Sequence, residues 1–404
     1  MQDNLPNIHD IKQKILFEVW KLVKQKYILF NEVDIDWELI FRSFEKELIR
    51  VESYRSLYEM IDEMLLTLQD PHTRVIFHPH NERLGVMSAT ILYLNGGYYI
   101  RNTIGHGNIS RGMRVISIEK QPVEEFVLRF QQKYMFESES ARIAAFISEF
   151  SKGSLGENIT LKAISNSGVE VEERITFRTV EDNIKNYDNS DILSKFNFCY
   201  IKEFENVGYV KIMSFRVKNI ADNFSSAIEQ LNEMKSLIID IRGNDGGNIE
   251  SASKAVGTIL KKNTTLGYQV RRRAGGGYSE FENPKKIVIR AAGRHLHFSK
   301  IVLLCDEFTM SASEFIFLET LKASDENIII VGKKTGGVIN GASIYTLFDG
   351  AKIQVTTSKF INSDGNQIAA GGIYPHVEIE NTDRYITDNQ DEQLEFAINL
   401  CKTA

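Results

Sequence analysis

Three cysteines in 404 residues, Cys199, Cys305 and Cys401, are too few and too far apart for a disulfide framework, and none has a metal-ligand spacing. They imply a reducing compartment and ordinary packing roles. Long hydrophobic runs are missing too: no stretch approaches the roughly 18 apolar residues of a membrane span. The opening "MQDNLPNIHDIKQKILFEVWKLVKQKYILF" has no basic leader, no uninterrupted apolar segment and no small-residue cleavage site. The expectation is therefore a cytosolic chain. Nor is there an excess of basic charge. The 48 Lys and Arg against 54 Asp and Glu leave a net −6, which argues against nucleic acid as the main partner. The cluster Arg271-Arg272-Arg273 is local, and "RRRAGGGYSEF" reads as an exposed hairpin or loop. The eight histidines include no His-Glu-x-x-His, and "HLH" at 295–297 has the alternation of a strand, so metal hydrolysis has no support in the pattern.

What is there is ordinary for a folded chain, 43% hydrophobic and 25% charged, and the length predicts two or three domains. Ile11, Ile15, Val19 and Val23 share one face of a helix, as do Leu57, Ile61, Leu65 and Leu68 in a second helix that ends at "DPHT". From about 84 to 180 short strands take over ("MSATILYL", "GYYIRN", "MRVISIE", "ENITLKAIS", "VEERITF"), interrupted by a strongly helical stretch at about 124–152. The aromatics of that stretch suit either a contact between two copies, hence a homo-oligomer, or packing on their own module. After about 190 the order becomes strand, helix, strand, helix. "SLIIDIRG" and "KIVLLCDE" have the continuous apolar character of strands buried on both faces. The expected fold class is α/β, with the boundaries 1–82 (helical), 83–182 (β-rich with the helical insertion) and 183–404 (the α/β core).

Two loops leave the buried strands. In "DIRGNDGGN" (240–248) paired glycines stand between a strand and a helix, suited to a tight turn of positive φ or to bare amides for an anion or oxyanion. Neither a phosphate loop nor a dinucleotide fingerprint is present. The second loop enters "SASE" at Ser311. This is a capping box in form, and equally a serine held at a helix start where a nucleophile belongs. Ligands of open α/β sheets collect at the carboxyl ends of strands, where both loops lie. A serine there, with the amides of Gly246, Gly247 and Ala312, has the parts for acyl transfer.

In "LQDPHTRVIF", "VGYVKIMSF", "SLIIDIRGNDGGN", "IVLLCDEFTMSASE", "IIIVGKKTGG" and "LFDGAKIQVTTSKFINSDGNQIAAGGIYPHVEIE", taken in order, the chain resembles the S41-type serine peptidases. These are the C-terminal processing (tail-specific) proteases and their tricorn-like relatives. The resemblance spans most of residues 60–380. It implies a multi-domain α+β chain: a ClpP/crotonase-like protease core, an N-terminal helical region and a degenerate PDZ-like β module. It makes Ser311 the nucleophile and Gly246, Gly247 and Ala312 the oxyanion hole. Residues Arg83, Leu84, Gly85 and Val86, read as a loop, would receive a peptide carboxylate.

The pattern departs from the family at the base. Where the processing branch carries a lysine stands Val338, with Lys333 and Lys334 four and five residues earlier. The "Lys-Thr-Gly-Gly" form resembles the tricorn-like branch, in which a histidine is the base, and His72 is the matching residue. That branch's glutamate is replaced by Ala369, and His376 stands where an aspartate is usual. The implied function is a serine endopeptidase that cleaves a peptide or protein tail through an acyl-enzyme, as in the processing of a precursor or leader. No metal or organic cofactor is implied. The alternatives are a pseudoprotease that only binds peptide, and an acyltransferase on the same core.

Overall fold

The computed structural model describes residues 8–77, 84–103, 105, 107–133, 136, 138–179, 182, 193–196, 199–293, 296, 298–324 and 327–402. Its centre is a seven-stranded sheet in the order Leu193–Phe196, Cys199–Phe204, Val207–Ile212, Ser236–Asp240, Lys300–Cys305, Ile328–Gly332 and Val377–Glu378. From Val207–Ile212 onward every pairing is parallel. Parallel strands need both faces covered, and "SLIID" is buried at all five positions for that reason. Helices Ile220–Gln230 and Ile249–Ile259 bury Phe224, Ile228, Val256 and their neighbours on one face. Helix Glu392–Lys402 closes the other with Ala397 and Cys401 against Ile238, Val302 and Val331. Each such side chain contributes about 1.5–3 kcal/mol by leaving water. Asp240 pairs with Leu304 and Cys305 with Gly332, so three neighbouring strands end together and their loops (241–248, 306–312 and 333–340) share one rim.

A second, five-stranded sheet joins distant parts of the chain. Arg74–Phe77 pairs with Lys352–Ile361, which also carries Thr264–Arg271 and Gly341–Thr346, and Lys285–Ile289 follows at the edge. The helices Ile8–Lys26 and Tyr54–Leu66 put their apolar faces on it: Ile15, Val19, Val23, Leu57, Ile61 and Leu65 pack with Leu347, Ile353 and Val355. The N-terminal helices and the C-terminal third therefore share one core. "RRRAGGGYSEF" is a hairpin, closed by the Arg272–Phe281 bridge.

The remaining strands form an antiparallel eight-stranded sheet running from Ala89–Leu94 to Lys152–Ser154. The helical stretch is two helices, Val123–Lys133 and Glu139–Phe150, and its aromatics turn inward. Phe126 and Phe130 meet Phe146 and Phe150 edge to face. The expected loop is corrected over 84–86: Leu84–Met87 is a strand, paired with Lys152–Ser154 on one edge and, at Val86 and Met87, with Arg178 and Phe177 on the other. Val86 has a neighbour on both edges, while Leu84 and Gly85 pair on one edge only among the described residues. Arg83, His295 and His297 lie outside the described residues. Among the described residues no helix is long and apolar enough to cross a membrane.

Candidate active site

Ser311 sits at the end of the loop leaving Lys300–Cys305, with φ at 56°. A serine in the left-handed region is strained, and such strain persists only where the surroundings impose it. Four hydrogen bonds impose it here. The amide of Met310 donates to the carbonyl of Asn244 at 3.0 Å. The amide of Ser311 donates to Oε2 of Glu314 at 2.9 Å. The amides of Glu314 and Phe315 donate to the Ser311 carbonyl at 2.8 and 3.1 Å. Half of the capping box thus forms, the half in which Glu314 reaches back. The other half does not: Ser311 Oγ makes no hydrogen bond among the described residues. A π-helix, Ser313–Leu318, follows at once and is buried throughout. Such π turns recur at functional sites.

The glycine turn lies directly against this serine. A Cβ on Gly246 would fall 2.7 Å from Ser311 Cβ and 2.8 Å from the Ala312 nitrogen, so only glycine fits, at φ 90°. Asn244 organises the turn from a fully buried position, accepting the Gly246 amide at 3.0 Å and donating to the Ile212 carbonyl at 3.1 Å. The Gly246 carbonyl accepts from Phe215. The Gly246 amide is engaged, whereas the amides of Gly247 and Ala312, which lie beside Ser311, donate to no atom among the described residues, and neither does that of Asp245.

His72 follows helix Tyr54–Leu66 and precedes strand Arg74–Phe77 in a turn built on Asp70. Oδ1 of Asp70 accepts the His72 amide at 3.1 Å, an Asx turn, and Oδ2 accepts the hydroxyls of Thr73 and Thr356 at 2.6 and 2.5 Å. Gln354 donates to the His72 carbonyl at 2.8 Å. Nδ1 of His72 stands 3.9 Å from the Asp70 carboxylate, and the side chain is 15% exposed. Burial holds its pKa below 6.5. The charge of Asp70 opposes this, Arg74 and Arg216 reinforce it, and Asp245, beside the glycine turn, opposes it more weakly. No hydrogen bond joins His72 to Ser311 among the described residues.

The two lysines are committed elsewhere. Lys333 pairs with Glu307 and Glu380 at 2.9 and 2.8 Å, and its pKa is raised: burial lowers it, but the two carboxylates outweigh that. This is the wrong direction for a base. Lys334 lies over the Tyr374 ring at 4.6 Å. Val338 stands where the lysine was sought, and its amide donates to Glu314 Oε2 at 3.0 Å. Glu314 is fully buried and takes two further donors on Oε1, Thr335 Oγ1 at 2.5 Å and the Gly337 amide at 2.8 Å. Burial lifts its pKa to about 7 against the pull of these four hydrogen bonds. Ala369 brings no carboxylate and has a positive φ of 54°. His376 faces the sheet, its Nδ1 accepting the Ile330 amide at 3.0 Å.

Residues 206–379 match the pattern described as Peptidase family S41, and residues 9–66 that of the Tricorn protease C1 domain. Over residues 206–379, which carry the glycine turn and Ser311, the match is to the S41 peptidases. The chain is 25% identical over 400 residues to a carboxyl-terminal-processing protease of Synechocystis sp., covering 96% of this chain and 86% of that one. It is 24% identical to the chloroplastic carboxyl-terminal-processing peptidase 3 of Arabidopsis thaliana, covering 91% and 68%. In fold it is similar to mature CPAF, with a TM-score of 0.75 at 15% identity over 98% of this chain and 97% of that one. It also resembles the photosystem II D1 C-terminal processing protease, with a TM-score of 0.56 at 17% identity over 91% and 93%. The match and these relatives make the chain a serine-type peptidase. Asp70 and Asn244 were not singled out in the sequence. The signal for the first was an aspartate two residues before a candidate base, in "DPHT", where an Asx turn is the ordinary reading.

Proposed function

We propose that this serine-type peptidase is an endopeptidase that cleaves a peptide or protein tail, with Ser311 as nucleophile and His72 as general base. Ser311 Oγ attacks the scissile carbonyl carbon while Nε2 of His72 takes its proton. The amides of Gly247 and Ala312 receive the oxyanion. As the C–N bond breaks, His72 returns the proton to the departing amine, and water then hydrolyses the acyl ester with the same base. Asp70, 3.9 Å from Nδ1, steadies the imidazolium in place of the carboxylate that Ala369 lacks. A pKa below 6.5 keeps His72 neutral, and so able to accept a proton, at neutral pH. The reading includes a closure of the His72 turn on Ser311 as substrate binds, since catalytic hydrogen bonds often tighten only in the Michaelis complex.

The observation that carries it is Ser311 itself: a left-handed serine whose Oγ makes no hydrogen bond among the described residues, against a glycine turn that no side chain could enter. The test is phosphonylation by a fluorophosphonate probe, read by intact mass. Wild type should take one adduct, Ser311→Ala none, and His72→Ala an adduct formed far more slowly. A folded wild type that takes no adduct, even with a peptide tail bound, would make the chain a peptide-binding pseudoprotease instead.

A further inference from the structure

A cavity of about 1210 Å³ opens beside His72, larger than the roughly 300–1,000 Å³ of small-molecule sites. His72 is in its wall, and so is the segment from Lys333 to Asn340. Ser311 is not among the lining residues, but the Glu314 carboxylate binds the Ser311 amide and the Gly337 and Val338 amides of that wall together. The remaining walls come from the N-terminal helical region, from the β module through Tyr93, Asn95, Gly96 and helix Glu139–Phe150, and from the C-terminal stretch between Gln367 and Glu380, so the space is continuous across three parts of the fold.

Its charge is one-sided. Seven carboxylates line it against two lysines, a formal −5 with His72 neutral, whereas the whole chain carries only −6. Some of these acids are already spent. Glu307 and Glu380 pair with Lys333, Glu32 pairs with Lys359, and Asp70 holds the His72 turn. Asp34, Glu139 and Glu378 are exposed, and no lysine or arginine among the described residues pairs with them. They come from three different walls. A concave site lined by one sign of charge raises the local concentration of oppositely charged partners.

We infer that the cavity selects a polypeptide segment carrying lysine or arginine side chains, which Asp34, Glu139 and Glu378 receive from three sides. This rests on the endopeptidase reading and adds the substrate class to it. Two unstructured peptides of equal length test it, alike except that one carries lysines and the other glutamates. Binding is measured by fluorescence anisotropy on Ser311→Ala, and cleavage on wild type.

The lysine peptide should bind and be cut at least about tenfold better at low salt, and the preference should shrink as salt screens it. The triple variant Asp34→Lys, Glu139→Lys, Glu378→Lys, whose folding is checked by thermal unfolding, should lose or reverse the preference; Glu139→Lys alone should weaken it. Equal or better handling of the glutamate peptide would overturn the inference, as would a preference indifferent to both salt and the triple variant. The two readings fail separately. Salt-sensitive binding of the lysine peptide with no cleavage by wild type would sink the endopeptidase and leave the cavity assignment standing. Cleavage of both peptides without charge preference would do the reverse.

Discussion

A single oxygen of Asp70 serves both ends of one residue: Oδ1 accepts the backbone amide of His72 at 3.1 Å and lies 3.9 Å from its Nδ1. The backbone contact fixes the turn, and the second places negative charge where an imidazolium would form. Asp70→Asn keeps the shape and removes the charge. Turnover should fall about 10²-fold or more, in the manner of triad carboxylates. A fall of less than about threefold in steady-state kinetics would remove Asp70 from the mechanism.

The same pair sets the pH response. His72 must be neutral to accept a proton, so activity is lost as pH falls through its pKa, which burial holds below 6.5. The acid limb of kcat/KM in wild type should therefore lie below 6.5. Because the charge of Asp70 raises the His72 pKa, the limb of Asp70→Asn should lie lower still. A wild-type limb at or above 6.5 would contradict the burial argument.

Glu314 ties the nucleophile turn to the cavity wall through four hydrogen-bond donors. In Glu314→Gln one oxygen becomes an NH₂ facing donors. Leaving such groups unmade costs on the order of 1–3 kcal/mol, and fluorophosphonate labelling should slow as the Ser311 turn loosens. The pH dependence of stability separates charge from shape. The folded protein holds the Glu314 proton up to about 7, whereas the unfolded chain releases it near 4.5. Stability from this group is full below 4.5 and lost as pH rises through 7. Denaturant titrations should find that loss in wild type and not in the variant.

Gly246→Ala would set a methyl group 2.7 Å from Ser311 Cβ at a φ of 90°. Both the contact and the backbone are prohibitive. The expected cost is about 1–3 kcal/mol, with loss of labelling at Ser311. Labelling at the wild-type rate would show that the turn is not packed on the nucleophile.

Arg242 is the strongest test of the core. It is 8% exposed and binds Asp240 and Asp391 through paired hydrogen bonds, with Gln393 as a third partner. Arg242→Met would leave the fully buried carboxylate of Asp240 with only the Tyr209 hydroxyl, Lys211 at 3.4 Å and a backbone amide, at about 3 kcal/mol. Chemical denaturation should show it, with the C-terminal helix detaching first.

The α/β core was legible because its strands are continuous apolar runs, as at Ser236–Asp240 and Lys300–Cys305, and its helices carry apolar stripes. The five-stranded sheet was not read as a sheet. Arg74–Phe77 is four residues long and meets Lys352–Ile361 across most of the chain, and local periodicity says nothing about such a partner. Ser311 could be named, since serine, small residue and glutamate before an apolar run is a local pattern. That its hydroxyl stays free depends on the φ of Ser311 and on the satisfaction of Glu314 by residues 335–338, which no local spacing records. The expected loop at 84–86 failed likewise, because its partner strands lie some 65 and 90 residues on, at Lys152–Ser154 and Phe177–Arg178.

The pairing of Arg74–Phe77 with Lys352–Ile361 also sets an order of events during synthesis. His72 leaves the ribosome early, but the groups that hold its turn, Gln354 and Thr356, lie 282 and 286 residues from the atoms they bind, His72 O and Asp70 Oδ2. Until that late strand emerges the histidine turn has no frame. Closing so long a loop is slow because its entropy is lost before the contacts compensate. On the endopeptidase reading, a chain still being made, with its own unstructured tail close at hand, has no ordered histidine to cut with.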